Sequence, residues 1–318
     1  DESNVLYKRM REDKFCRKEN WSDFECSLGG LLQCNADANV LEDALKQIQS
    51  MFLLFLNEIV TPEVLLKLND DIGKHGWGQR ALSGFLGDLD KDDYEKMGFP
   101  NKTWHYHMYN YLIINFNYTS LFDNYIYLDK YQFEPRPHKT VDTNFKFYPN
   151  PNGYIKQGKN GNTVWSSFVM VDTIHPHGYQ NIPRSLLFGI ENESYISNRV
   201  LNRFNKSYWA QSNQRYKSYF NDAELFIIYG TSIGETDNWW WGNIYNCLLH
   251  GDSELIIYFY DDERIEKDSD SVKQMFIDAC NTGHSEAECA KVKEKIYVVL
   301  YNEEKTTKMF ALKSDEEV

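Results

Sequence analysis

Leu225-Phe226-Ile227-Ile228-Tyr229 is an unbroken apolar run that ends in Gly230-Thr231-Ser232, with Asp237 a few residues further on. A short apolar run bounded by turn residues reads as a buried strand of a parallel sheet. Two other runs follow the same plan. Residues 111–116 (YLIINF) lead into Asn117-Tyr118-Thr119, and strand-like residues 165–174 lead into His175-Pro176-His177-Gly178. In an open α/β sheet the ligand crevice lies at the carboxyl ends of the strands. The three polar motifs are therefore expected to converge on one pocket, although the first and last are more than a hundred residues apart.

Further strands are predicted at 186–190, 255–260 and 296–301. Helices are predicted at 192–219, from Thr236 or Asp237 to His250, and at 271–280. Strands alternating with helices imply a mostly parallel, covered, Rossmann-like sheet. The first hundred residues differ. Leu41, Leu45, Ile48, Phe52, Phe55 and Ile59 recur at spacings of three and four, one apolar stripe on a helix of about 20 residues capped by Asp37 or Asn39. Thr61-Pro62 reads as a cap and first helical residue opening a second helix. Residues 73–87 read as Gly-punctuated loop or short helix, and 88–97 as a third helical piece. Residues 1–35 are charged and irregular, with a short helix near Trp21–Glu25. The division is thus a helical region, 1–100, and an α/β core, 101–318. Pro135, Pro137, Pro149, Pro151, Gly153, Gly158 and Gly161 mark an insertion at 130–164.

The chain has 318 residues, ample for a hydrophobic core. Hydrophobic residues at 42% and charged residues at 25% argue against disorder. A net charge of −13 excludes general nucleic-acid binding, which counterion release onto basic residues drives. No run approaches the roughly 18 apolar residues of a membrane helix, and no signal peptide is evident. Six scattered cysteines without CxxC spacing read as reduced thiols, so the expected compartment is the cytoplasm. The Asn-x-Ser/Thr triplets at Asn20, Asn101, Asn117, Asn192 and Asn205 then read as chance. The chain opens with Asp1 and has no strand near its start, so it reads as cut from a longer precursor.

The chemistry sits at the strand ends. Asn117 can hold a ribose hydroxyl or a water, since an amide both donates and accepts; the plain alternative is a turn Asn bonded to its own backbone. His177 suits general-base work on a ribose hydroxyl, and Gly178 admits close approach to the backbone; the alternative is a loop His bonded to a carbonyl. Gly230, Thr231 and Ser232 at a strand-to-helix turn suit phosphate or ribose oxygens. Asp237 either caps the following helix or accepts from a ribose hydroxyl. No metal site is assigned. The pairs His105-x-His107 and His175-x-His177 would each put two imidazoles on one strand face, but Pro176 breaks the second and no carboxylate-rich set accompanies them. Cys280, His284 and Cys289 lack zinc spacing. Trp239-Trp240-Trp241 reads as helix packing or an interface.

Together these residues resemble the phage abortive-infection AbiH family. Phe116-Asn117-Tyr118-Thr119 resembles its FNYT segment, and residues 174–178 (IHPHG) its IHG segment with Pro-His inserted. Phe188-Gly189-Ile190 and Phe204-Asn205-Lys206 match the stretch between. Residues 228–234 (IYGTSIG) with Asp237 and Trp241 resemble its closing iYGhSLg…D…W segment, and residues 20–25 (NWSDFE) its W-s-D-x-E element. The resemblance spans roughly residues 20–245. The family opens with a strand and a GNGFD-type loop, which this chain does not show.

That family is distantly similar to the sirtuin-like domains of antiviral NAD hydrolases. The resemblance implies a sirtuin-like core, NAD as substrate, Asn117 and His177 as catalytic residues, and Thr119, Gly178, Gly230, Thr231, Ser232 and Asp237 as nucleotide contacts. Asn117 would position water or ribose, and His177 would be the base. The expected function is bacterial antiphage abortive infection by cleaving the nicotinamide–ribose bond of NAD or a related nucleotide. The alternatives are a non-catalytic nucleotide-sensing or interaction module of a defence system, and a metal-dependent hydrolase or nuclease using the His pairs. The expected partner is a small nucleotide, with no membrane. A phage-derived trigger and a homo-oligomer are left open.

Overall fold

The computed structural model describes residues 3–15, 24–103, 107–127, 147, 168–261, 268–280 and 283–312. Its strands are β1 (Met108–Ile114), β2 (Phe168–Ile174), β3 (Leu225–Tyr229), β4 (Glu254–Tyr260) and β5 (Ile296–Tyr301). All pairings among them are parallel, as the alternation of strands and helices predicts. The expected single sheet is instead two small ones among the described residues, β1-β2 and β3-β4-β5. The chain is an α/β protein rich in helix.

The alternation of side chains explains the three-stranded sheet. Successive residues of a strand point to opposite faces. Leu255 and Ile257 of β4, with Ile296 and Val298 of β5, face one core with Tyr245 and Leu248 of the helix Asn238–His250 and Phe276 of the helix Ser269–Ala279. Ile256, Tyr258, Tyr297 and Val299 face a second core with Phe85, Tyr94 and Met97. Both faces are thus covered, which is why β4 reads as a continuous apolar run. Glu254, the first residue of β4, lies against the second core's helices. Its carboxylate accepts from the backbone N–H groups of Gly98 and Phe99 at 2.8 and 2.6 Å and from the Tyr297 hydroxyl at 2.8 Å.

The N-terminal region is helical, as expected, with different boundaries. The residues predicted to be irregular contain the helices Val5–Phe15 and Phe24–Gln33; the predicted Trp21-Ser22-Asp23 start lies outside the described residues. The long helix is Ala38–Ile59, and the Asp37 side chain caps it. Its apolar stripe is buried at Leu41 and Leu45 and partly buried at Ile48 and Phe52 in the core with the two preceding helices, whereas Phe55 and Ile59 are exposed. Thr61 caps the helix Pro62–His75, and Gly76 ends it in the left-handed conformation. The piece at 88–97 shortens to the helix Lys91–Lys96, capped by Asp90.

Other boundaries move for local reasons. β1 begins three residues early and ends at Ile114, because Asn115 turns the chain: its side chain accepts from the Asn117 N–H at 3.0 Å. The strand predicted at 186–190 does not form. That segment makes one bridge, Ile190 with Asn205; the Leu187 N–H donates to the His177 carbonyl, the Gly189 N–H to the Glu25 carboxylate, and the Leu186 carbonyl accepts from the Gln49 side chain. The helix predicted at 192–219 breaks into short pieces because Asn192, Asn198 and Asn205 each accept from backbone N–H groups just ahead of them. The helix Glu286–Lys293, opened by a Ser285/Glu288 capping box, was not predicted. The insertion at 130–164 lies outside the described residues, Phe147 excepted.

Ile256 is completely buried in the second core. Ile256→Ala is expected to cost about 2–5 kcal/mol of unfolding free energy, measured by urea titration.

Candidate functional site

The site forms where β2 ends. The chain runs from Ile174 through His175 and Pro176 to His177, then reverses, with the Gly178 N–H donating to the His175 carbonyl at 3.0 Å. Gly178 has φ +78°, and a Cβ there would sit 2.0 Å from the Ser185 carbonyl oxygen. The close approach that glycine allows here is made by the chain itself. The turn drives the His177 ring inward, where it is buried. Phe116 and Tyr118 pack beside it, with ring centroids 5.2 and 6.4 Å away, so the segment after β1 and the segment after β2 do meet.

His177 Nε2 lies 3.3 Å from Asp237 Oδ1. Asp237 precedes the helix Asn238–His250 but makes no side-chain capping bond to it. Its carboxylate serves His177 and the Lys206 ammonium, which is 2.9 Å away. Lys206 opens the helix Lys206–Ala210 and is only 3% exposed. Its second partner is Glu25 Oε2, at 2.8 Å, on the helix Phe24–Gln33. The result is a buried chain of charges, Glu25, Lys206, Asp237 and His177, drawn from four separate segments.

The electrostatics follow from burial and pairing. Burial pushes the Asp237 carboxyl upward, but the His177 hydrogen bond and the Lys206 charge outweigh it and hold the pKa at about 2. Burial dominates at Glu25 and pushes its carboxyl up, against the pull of Lys206. Burial would lower Lys206, but two carboxylates keep it raised and charged. A small cleft touches this cluster, lined by His177, Asp237, Lys206, Glu191, Ser207 and Trp240 among others. Glu191 accepts from both the N–H and the hydroxyl of Ser207.

Of the other sequence-predicted residues, Asn117, Thr119, Gly178, Gly230, Thr231 and Ser232 do not line this cleft, so the three motifs do not all converge on it. Asn117 is exposed just beyond β1, and its carbonyl faces the His175 ring. Thr119 is half-buried, and the helix that follows, Leu121–Ile126, starts after Ser120 without a side-chain cap bond. Gly230, at φ +66°, has open space where a Cβ would be. Thr231 accepts from the Ile233 N–H at 3.5 Å, and Ser232 is exposed. This loop is fastened by Trp241, whose indole N–H donates to the Gly234 carbonyl at 2.9 Å and whose ring lies 6.1 Å from Phe116. Trp240 and Trp241 are core residues, as packing predicts.

Glu25 and Lys206 are not among the residues that the sequence assigns to the site. The available signal was a lone charge set in apolar surroundings: Phe24-Glu25-Cys26-Ser27-Leu28 opens an apolar helix, and Lys206 follows the buried Phe204. No group of three or more His, Cys, Asp or Glu among the described residues is arranged to hold a metal ion. His105 lies outside those residues. Among them, no helix is long and apolar enough to cross a membrane.

The segments that converge here are those that carry the resemblance noted above, and the family model of bacteriophage abortive infection AbiH matches residues 2–259. The chain belongs to the AbiH family. That membership places it in phage abortive infection, a defence role. Glu25, His177, Lys206 and Asp237 all fall within the matched span, whereas β5 and the helices at Ser269–Ala279 and Glu286–Lys293 lie beyond it. No curated protein and no solved structure matches the chain.

Two outcomes are expected of the AbiH charge chain. Lys206→Ala leaves two buried carboxylates facing each other, and is expected to cost about 3–5 kcal/mol in a denaturant titration; the triple variant Glu25→Gln, Lys206→Met, Asp237→Asn should recover most of that loss. The Asp237 pKa is depressed when folded, so its contribution is complete above about pH 4 and is lost as pH falls towards 2. Asp237→Asn should therefore flatten the acid end of the stability–pH curve.

Proposed function

We propose that this AbiH protein hydrolyses NAD, or a related nucleotide, at the nicotinamide–ribose bond, with a sirtuin-like α/β core supplying the site. The observation that carries the reading is the His177–Asp237 pair, with His177 buried at the carboxyl end of a parallel strand beside a small cleft. That is where ligands bind in open α/β sheets.

The chemistry then runs as follows. Asp237 accepts a hydrogen bond from the His177 Nε2–H and so fixes the tautomer that leaves the lone pair of His177 on Nδ1. The C1′–N bond breaks, and its electron pair leaves with nicotinamide, whose ring nitrogen becomes neutral. Water adds its oxygen to C1′ of the oxocarbenium-like sugar and loses a proton, which His177 takes from the water or through a ribose hydroxyl. The products are nicotinamide, ADP-ribose and one proton. Asn117, exposed at the end of β1, positions the water or the ribose through its amide, and the loop Gly230-Thr231-Ser232 offers backbone N–H groups and hydroxyls to the nucleotide. Most of the acceleration comes from orientation and from fixed charge around the developing cation.

NAD turnover by the purified full chain tests this, beside His177→Ala and Asp237→Asn, with phage challenge of cells carrying each. His177→Ala is expected to abolish NAD loss and protection. Asp237→Asn should lower kcat by about 10²–10⁴, as loss of the group orienting a general base does. Tight binding of NAD or ADP-ribose with no turnover would instead make this protein a nucleotide-sensing module.

A further inference from the structure

A second polar constellation spans the ends of β1 and β2. His175 Nδ1 lies 3.2 Å from the Asn117 carbonyl oxygen, and His175 Nε2 lies 2.8 Å from Asp123 Oδ1. The other Asp123 oxygen accepts from Asn115 Nδ2 at 3.3 Å. Asn115 Oδ1 in turn accepts from the Asn117 N–H at 3.0 Å. The bonds close a cycle that runs from the Asn117 N–H through Asn115, Asp123 and His175 back to the Asn117 carbonyl. The cycle is anchored to the sheet, because the Asn115 N–H donates to the carbonyl of Ile174, the last residue of β2. Both peptide groups flanking the Asn117 side chain are gripped.

Hydrogen-bond accounting fixes the protons. A backbone carbonyl can only accept, and so can a carboxylate. The His175 ring therefore meets both partners only when each of its nitrogens carries a proton. The groups facing the ring are Asp123 from the helix Leu121–Ile126, the Asn117 carbonyl from the turn after β1, and Tyr179, whose ring stacks on it at 4.7 Å. The His175 side chain is 8% exposed.

We propose that His175, with Asp123 and Asn115, is a positioning residue that holds the Asn117 peptide at the site, and that loss of one ring proton releases one side of the grip. The inference rests on the reading of Asn117 as a group that meets the substrate. Burial works against the charged ring, but the Asp123 hydrogen bond and charge outweigh it and raise the pKa above the ordinary 6.5. With the folded value raised, the grip is complete below about pH 6.5 and is lost as pH rises through the folded pKa.

The experiment follows the full chain and its Asp123→Asn and His175→Gln variants across that pH range. It reads NAD turnover, the His175 ring titration by NMR, and hydrogen exchange of the Asn117 amide. In the wild type, kcat should fall as His175 titrates, with KM nearly constant, and the protection of the Asn117 amide, its exchange corrected for base catalysis, should fall over the same range. Asp123→Asn should move the titration, the kcat limb and the exchange together towards lower pH, and His175→Gln should lack the limb. The proposal is overturned if Asp123→Asn moves the His175 titration while the kcat limb and the Asn117 exchange stay in place. If no form turns NAD over, the hydrolase reading fails separately; exchange that still tracks the His175 titration then supports the grip, and exchange that does not overturns it.

Discussion

The Lys206 ammonium, sealed between two carboxylates, is the constraint on which the rest of the site depends. An unpaired ammonium in that position would cost several kcal/mol, because little water reaches it. Glu25 and Asp237 remove that cost only if the helix Phe24–Gln33 and the turn before the helix Asn238–His250 come within hydrogen-bond distance of one nitrogen. The same requirement turns Asp237 away from its own helix and towards His177. The charge chain thus ties the N-terminal helices to the core that covers the three-stranded sheet. Around it the fit is aromatic: Phe116 packs edge-on against Trp240 at 5.4 Å and lies next to the His177 ring.

The loop after β3 holds the opposite kind of constraint. Ile233 is buried with φ +52°, a conformation that costs a β-branched residue about 1–3 kcal/mol. Two neighbours hold it there. Gly230 takes the first left-handed position without strain, and Trp241 clamps the Gly234 carbonyl. The exposed hydroxyl of Ser232 is therefore carried on a backbone fixed from both sides.

Most of the parallel strands could be read from the chain because burial on both faces leaves an apolar run that needs no partner to be recognised. β3 and β5 have the boundaries expected, and β4 differs by one residue. What local pattern could not show was pairing. Residues 186–190 look like a strand, yet their backbone groups find loop and side-chain partners where no neighbouring strand lies. The asparagines at 192, 198 and 205 lie in a polar stretch that suggests one helix, and only their bonds to nearby N–H groups reveal the breaks. At the site, His177 and Asp237 stand out as polar residues at element ends. Glu25 and Lys206 do not, because each is meaningful only through the other, and 181 positions separate them. His175 was weighed as one half of a metal pair, whereas its ring faces Asp123 and a carbonyl.

That separation sets when the site can exist during synthesis. Glu25 is made early, Lys206 long afterwards, and Asp237 later still, and contacts so distant along the chain form last. A ribosome-bound chain that stops short of Asp237 can offer Lys206 one counter-charge, Glu25, and His177 none. Translation therefore runs from Glu25 through more than two hundred further residues before the charge chain can close.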